Sequence, residues 1–166
     1  MRNLDSDFIL NRMMSLHPKV IDLTLDRVWR LLDALGNPQN KLPKVIHIAG
    51  TNGKGSTLSM IRAGLNEIGL KTHAYTSPHL VRFHERIQLN DNFIAEKKLA
   101  EILDECYSAN KEEPITFFEI TTCAAILAMS RTHADYVLLE VGLGGRLDAT
   151  NVVANPELTI ITPVSL

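Results

Sequence analysis

Apolar and polar positions change their period several times along this chain, and the changes mark its elements. Val45, Ile46 and Ile48 make a short apolar run, Lys44–Ala49, which predicts a buried strand. Just after it, Met60, Ile61, Leu65 and Ile68 recur at helical spacing, and Gly69 closes that helix. Upstream, Phe8–Leu16 mixes apolar and polar positions as a short helix does. Pro18 biases the residue before it away from helix, so the stretch around His17–Asp22 predicts a loop. Asp22 or Thr24 is placed to cap a helix running to about Leu35, with Leu25, Val28, Trp29, Leu32 and Leu35 as its apolar stripe.

Downstream, Leu70–Ser77 predicts a second strand, and Thr76–Leu80 leaves it as a loop. Val81–Asp91 is basic and irregular around a short strand-like segment, and Asn90-Asp91-Asn92 is a turn. Ala95–Asn110 is amphipathic, with Leu99, Ile102, Leu103 and Cys106 on one face. Phe117–Ser130 is apolar nearly all round and predicts a helix buried against a sheet. Ala134–Val141 and Leu158–Thr162 complete a set of four strands. Strands alternating with helices predict an α/β fold, a mostly parallel sheet with helices on both faces.

Composition narrows the picture only a little. At 166 residues one domain is expected, and 45% hydrophobic residues suffice for a core. Seventeen basic against 19 acidic residues give no electrostatic reason to expect nucleic acid or an anionic membrane as partner. Cys106 and Cys123 predict two reduced, buried thiols in a cytoplasmic protein. The N-terminus lacks the apolar region of a secretory signal, and no apolar run is long enough to span a bilayer. The chain stops at Leu166, where a buried strand would deliver its next side chains, so a truncated chain is expected.

The chemistry concentrates at Gly50-Thr51-Asn52-Gly53-Lys54-Gly55-Ser56, a glycine-rich turn between a strand and a helix. Such glycines let backbone approach an anion, and the amides and dipole of the helix start favour negative charge. Lys54 offers a cation to the β- and γ-phosphates of a nucleotide, and Ser56 a hydroxyl to Mg²⁺. The spacing departs from the common phosphate loop, because two residues separate Gly50 from Gly53 and Gly55 intervenes between Lys54 and Ser56. Glu140 ends an apolar run and is costly there unless it pairs with Lys54 or Arg146 or binds a metal; metal is the favoured reading. Ser77 taken alone reads as a loop-capping hydroxyl, and His79 and His84 as locally bonded loop residues. In parallel sheets ligands bind beyond the carboxyl ends of the strands, where the glycine turn, Ser77 and Glu140 all fall.

GTNGKGS at Gly50–Ser56, TSPHL at Thr76–Leu80 and LEVGLGGRLDATN at Leu139–Asn151 closely resemble the folylpolyglutamate synthase and dihydrofolate synthase family, in the Mur ligase superfamily. HPKVIDLTLDRV at His17–Val28, HLVRFHERI at His79–Ile87 and ITFFEITT at Ile115–Thr122 extend the likeness over nearly the whole chain. The resemblance implies an ATP-dependent ligase that adds L-glutamate to dihydropteroate or to a folylpolyglutamate through an acyl phosphate. It implies ATP phosphates on Gly53–Ser56, with Lys54 as the catalytic cation, and Mg²⁺ on Ser77 and Glu140. It implies a pterin pocket with Asp22, Leu23, Thr24, Thr116, Phe117, Phe118, Glu119, Leu147, Asp148 and Ala149. Arg82 and Arg86 fall in a loop that lies near the substrate in this family; a solvated basic loop is the other reading of both. Residues 1–43 then form an N-terminal helical segment, and 44–166 a truncated ATP-binding domain. The family's further histidine, its usually carbamylated lysine and its C-terminal glutamate-binding domain are absent from the chain. The chain alone is therefore expected to fold imperfectly and not to turn over.

Overall fold

The structure, a computed structural model, describes residues 6–16 and 24–165. Its helices are α1 Ser6–Met14, α2 Asp26–Ala34, α3 Lys54–Glu67, α4 Glu96–Asn110 and α5 Phe117–Ser130. Its strands are β1 Lys44–Ala49, β2 Thr72–Tyr75, β3 Ile87–Leu89, β4 Asn92–Phe93, β5 Tyr136–Glu140 and β6 Leu158–Ile161. Among the described residues they form one sheet in the order β4-β3-β2-β5-β1-β6. β2, β5, β1 and β6 run parallel, and β3 and β4 add an antiparallel hairpin at one edge.

β5 is buried on both faces and reads as a nearly continuous apolar run, whereas the equally buried β2 also carries Thr72 and His73. Successive side chains point to opposite faces. Ile46, Ile48, Ala74 and Leu138 meet Leu58 of α3 on one face. Val45, Tyr75, Val137 and Leu139 join a larger cluster on the other face, built with α1, α2, α4 and α5. Residues 119–129 of α5 are all buried, as its unbroken apolar character predicts.

Differences from the sequence expectation have local causes. Met60 and Ile68 are exposed, and α3 packs through Leu58, Ile61 and Leu65. Met60 stands two positions from Leu58, roughly 200° round the helix, and so faces away. Ile68 lies beyond the last residue of α3. Trp29 is likewise 41% exposed, and Leu31 takes its place in the α2 stripe beside Val28 and Leu32. The basic stretch after Pro78 resolves into a 3₁₀ turn, Phe83–Arg86, and the β3–β4 hairpin, with Asn90 at φ 55 in its turn. The second and third predicted strands are shorter than expected, because ladder pairing ends where the neighbouring strands end.

Both thiols are free and buried, and burial pushes each above the ordinary range. A thiolate is the reactive form, so both are protected from a disulfide reagent. Ellman's reagent should label neither cysteine in native protein and both in guanidinium. Rapid native labelling of either would contradict this packing.

Candidate active site

Three loops leave the carboxyl ends of β1, β2 and β5 side by side. The register sets this: Ile48 pairs with Glu140, and Tyr75 with Leu139. The glycine turn 50–53, Ser77 and Glu140 are thereby brought to one edge, as the sequence predicts.

The glycine turn is shaped from both sides. Gly50 has φ 133, and a Cβ on it would lie 2.0 Å from Thr162 Oγ1 and 2.8 Å from the Thr162 carbonyl. Only glycine lets β1 leave the sheet beside that residue. Gly53 adopts φ 83 immediately before α3. The amides of Thr51 and Asn52 donate to the carbonyl of Pro163, at 3.0 and 3.3 Å, and are therefore engaged within the protein. The amides of Lys54, Gly55 and Ser56 open α3 and have no acceptor within it. Of the predicted segment, the amides without a partner inside the helix are therefore those of its second half. Lys54 is half-buried, and its Nζ donates to the carbonyls of Gly50 at 2.9 Å and Thr51 at 3.4 Å.

Glu140 is 6% exposed. Its Oε2 accepts the Ser77 amide at 3.1 Å, and its other oxygen has no hydrogen bond among the described residues. Burial raises its pKa; the Ser77 amide and the charge of Lys54 oppose that shift. A buried carboxylate with spare acceptor capacity beside free helix-start amides suits a hard divalent cation shared with phosphate oxygens. No cluster of three or more His, Cys, Asp or Glu occurs among the described residues. The donor set here is one carboxylate with Ser77 beside it, while Ser56 is exposed on the first turn of α3; so sparse a set suits Mg²⁺ because that ion takes few ligands from protein.

Ser77 and Pro78, joined by a cis peptide bond, stand between two cavities of about 500 Å³ each. One runs along α3, past Gly55, Arg62 and Glu140. The other lies on the α5 side and gathers Thr24, Thr116, Phe118, Glu119, Leu147, Asp148 and Ala149, together with Lys54 and Arg86. Seven of the predicted pterin-pocket residues therefore share one cavity. Phe117 does not line it; its ring packs edge-on against Phe83 at 5.9 Å. Arg82 is exposed and lines neither cavity, whereas Arg86 does. Asp22 and Leu23 lie outside the described residues.

The acids of this second cavity are already satisfied. Glu119 closes a capping box with Thr116 at the start of α5, accepting the Thr116 amide at 2.7 Å. It also takes a two-pronged contact from Arg27, with both nearest N–O distances at 2.9 Å. Asp148 is 4% exposed. It accepts the amides of Gly142, Leu143 and Thr150 at 2.8 to 3.0 Å and the Thr150 hydroxyl at 2.5 Å. That hydroxyl also meets His47 Nε2 at 2.8 Å, and burial lowers the His47 pKa. Asp148 thus folds the second glycine turn onto β1. Gly142 is needed against the aromatic floor, since a Cβ there would lie 2.4 Å from the Phe118 ring.

Arg27, His47, Thr150 and Thr162 are missing from the sequence reading. Arg27 is 92 residues from its partner, and no local pattern links the two. The Thr116-x-x-Glu119 spacing is the one available signal, and it marks a helix start as readily as a pocket.

A strand–glycine-turn–helix unit on a mostly parallel sheet, with a buried acid at the end of the neighbouring strand, defines the α/β ATP-binding fold of the Mur ligases. Within that class the chain is homologous to the dihydrofolate synthase/folylpolyglutamate synthase family. It is 39% identical over 157 residues to the dihydrofolate synthase/folylpolyglutamate synthase of Escherichia coli, covering 95% of this chain and 37% of that one. It superposes on Escherichia coli FolC in complex with DHPP and ADP with a TM-score of 0.88 and 37% identity, covering 98% of this chain and 39% of that one. The Yersinia pestis bifunctional folylpolyglutamate synthase/dihydrofolate synthase complexed with AMPPNP and Mn gives 0.90 and 34%, with the same coverage. No family model matches the chain. The chain spans little more than a third of the length of these relatives.

Asp148→Ala leaves three amides without their acceptor and should destabilise the fold by roughly 3 kcal/mol. Urea midpoints measure it. A change below about 0.5 kcal/mol would mean that the 142–150 turn holds itself.

Proposed function

We propose that this chain forms the ATP- and acceptor-binding part of a ligase that joins L-glutamate to dihydropteroate or to a folylpolyglutamate. The observation that carries this reading is the charge balance of the α5-side cavity. Four charged side chains line it; Arg27 neutralises Glu119, and Asp148 is buried and hydrogen-bonded, so the two cations Lys54 and Arg86 outweigh the one remaining acid. Its floor is aromatic and aliphatic: Phe118, Leu143, Leu147 and Ala149. A flat heteroaromatic ring ending in a carboxylate matches that arrangement.

The proposed reaction needs the acceptor carboxylate aligned with the γ-phosphorus of ATP, so that an acyl phosphate forms and the amine of glutamate then attacks it. Lys54 faces both the acceptor cavity and the glycine turn, and can neutralise charge where the two substrates meet. The amides of Lys54, Gly55 and Ser56 hold phosphate oxygens. Mg²⁺, held by Glu140 with the Ser77 and Ser56 hydroxyls, supplies further charge stabilisation when bound. The segment before β1 contributes Thr24 to the acceptor side. No described helix is long and apolar enough to cross a membrane. The two free thiols accord with a reducing, cytoplasmic setting for the reaction.

Calorimetry of the purified chain with AMPPNP and Mg²⁺ tests the first half. Lys54→Ala should weaken binding about tenfold or more, the worth of a charge-assisted contact. Unchanged affinity would remove Lys54 from the phosphates. For the second half, the chain replaces the corresponding segment of the Escherichia coli enzyme, and transfer of labelled glutamate to dihydropteroate is measured. Transfer by the chimera supports the ligase. Binding of both ligands without transfer would favour a binding module instead.

A further inference from the structure

Arg86 is held in an unusual manner for a loop arginine. Its backbone carbonyl accepts the Thr76 amide at 2.9 Å, which ties it to the end of β2. Its Nε donates to His79 Nδ1 at 2.9 Å. Its guanidinium lies over the Phe83 ring, 5.2 Å from the centroid. Phe83 is itself 6% exposed and is wedged edge-on between His79 and Phe117, at 5.9 Å from each. The terminal nitrogens make no hydrogen bond among the described residues, although the residue lines the acceptor cavity. A half-buried guanidinium gripped at Nε and on one face, with its fork left open, is preorganised for a planar anion.

We propose that Arg86 is the carboxylate receptor of the α5-side cavity, and that His79 is the positioning residue that aims it. This rests on the proposed acceptor, an aryl carboxylate. His79 must present a lone pair at Nδ1 to accept from Arg86, so its proton sits on Nε2. Phe83 fixes the plane of the guanidinium through the cation–π contact. Together they restrict the rotamers of a long side chain before ligand arrives, and less freedom is lost on binding. Arg82, four residues earlier, has no comparable support and does not reach the cavity.

The test compares pteroic acid with its carboxamide, which keeps the ring and removes the charge, by calorimetry on the purified chain. Wild type should prefer the acid about tenfold or more. Arg86→Gln should abolish the preference, with the acid losing far more affinity than the amide. His79→Ala should lose most of the preference, whereas His79→Asn, whose Oδ1 can accept from Nε, should stay within about twofold of wild type. The Arg86 Nε–H resonance, shifted by its hydrogen bond, should move in His79→Ala and be restored in His79→Asn. Full discrimination retained in Arg86→Gln, or equal behaviour of the two His79 variants, overturns the inference. If wild type binds neither pteroate, the proposed acceptor fails. p-Aminobenzoate against p-aminobenzamide, which need no pterin contact, then decides Arg86 separately, and absence of any preference there overturns it.

Discussion

Parallel pairing of β5 between β1 and β2 is the constraint on which the candidate site depends. Because Ile48 faces Glu140 and Tyr75 faces Leu139, β1 and β2 each end within a residue of the end of β5. Their loops must then share a small volume beyond the sheet. A slip of one residue would turn Glu140 to the opposite face and send Val137 and Leu139 out of the larger core cluster. The apolar burial that fixes the register therefore also fixes the site, and the two cannot vary independently.

Within that volume, charge is managed by near-complete internal compensation. Glu119 is met by Arg27, and Asp148 by three amides and a hydroxyl. With Glu119 neutralised by Arg27, Lys54 and Arg86 stand against Asp148 alone, so a cavity with two acids in its wall keeps a net cationic character. The same acids give the walls their rigidity: one caps α5 and ties it to α2, and the other curls the 142–150 turn under β1. Glu140 is the exception, a buried carboxylate with one hydrogen bond among the described residues, and it stands beside the start of α3.

Much of this was legible in the residues. β1 follows its predicted limits because it is a short apolar run between Pro43 and Gly50, and α5 because a Thr116 cap starts a mostly apolar segment. The glycine turn was legible because glycine, lysine and serine between a strand and a helix have few other uses. What escaped reading was non-local. Nothing near Arg27 points to Glu119, and nothing near Thr51 points to Pro163. Amphipathic spacing on α3 selected Met60, because periodicity gives the presence of a stripe more reliably than its angle. The loop arginines Arg82 and Arg86 have the same charge and stand only four positions apart in sequence. Only folding separates the one that turns to solvent from the one gripped by His79 and Phe83.

The hold of Pro163 on the amides of Thr51 and Asn52 has a kinetic corollary. The glycine turn is completed by residues more than a hundred positions further on; Thr51 Oγ1 also reaches the Ser165 carbonyl at a separation of 114. Contacts of such range form late, since a long stretch of chain must be ordered before they can close. During synthesis, β1 and α3 leave the ribosome well before β6 does. The glycine turn thus reaches its final shape only when the last described strand docks, so the nucleotide affinity proposed for it would report on the completion of folding rather than on its onset.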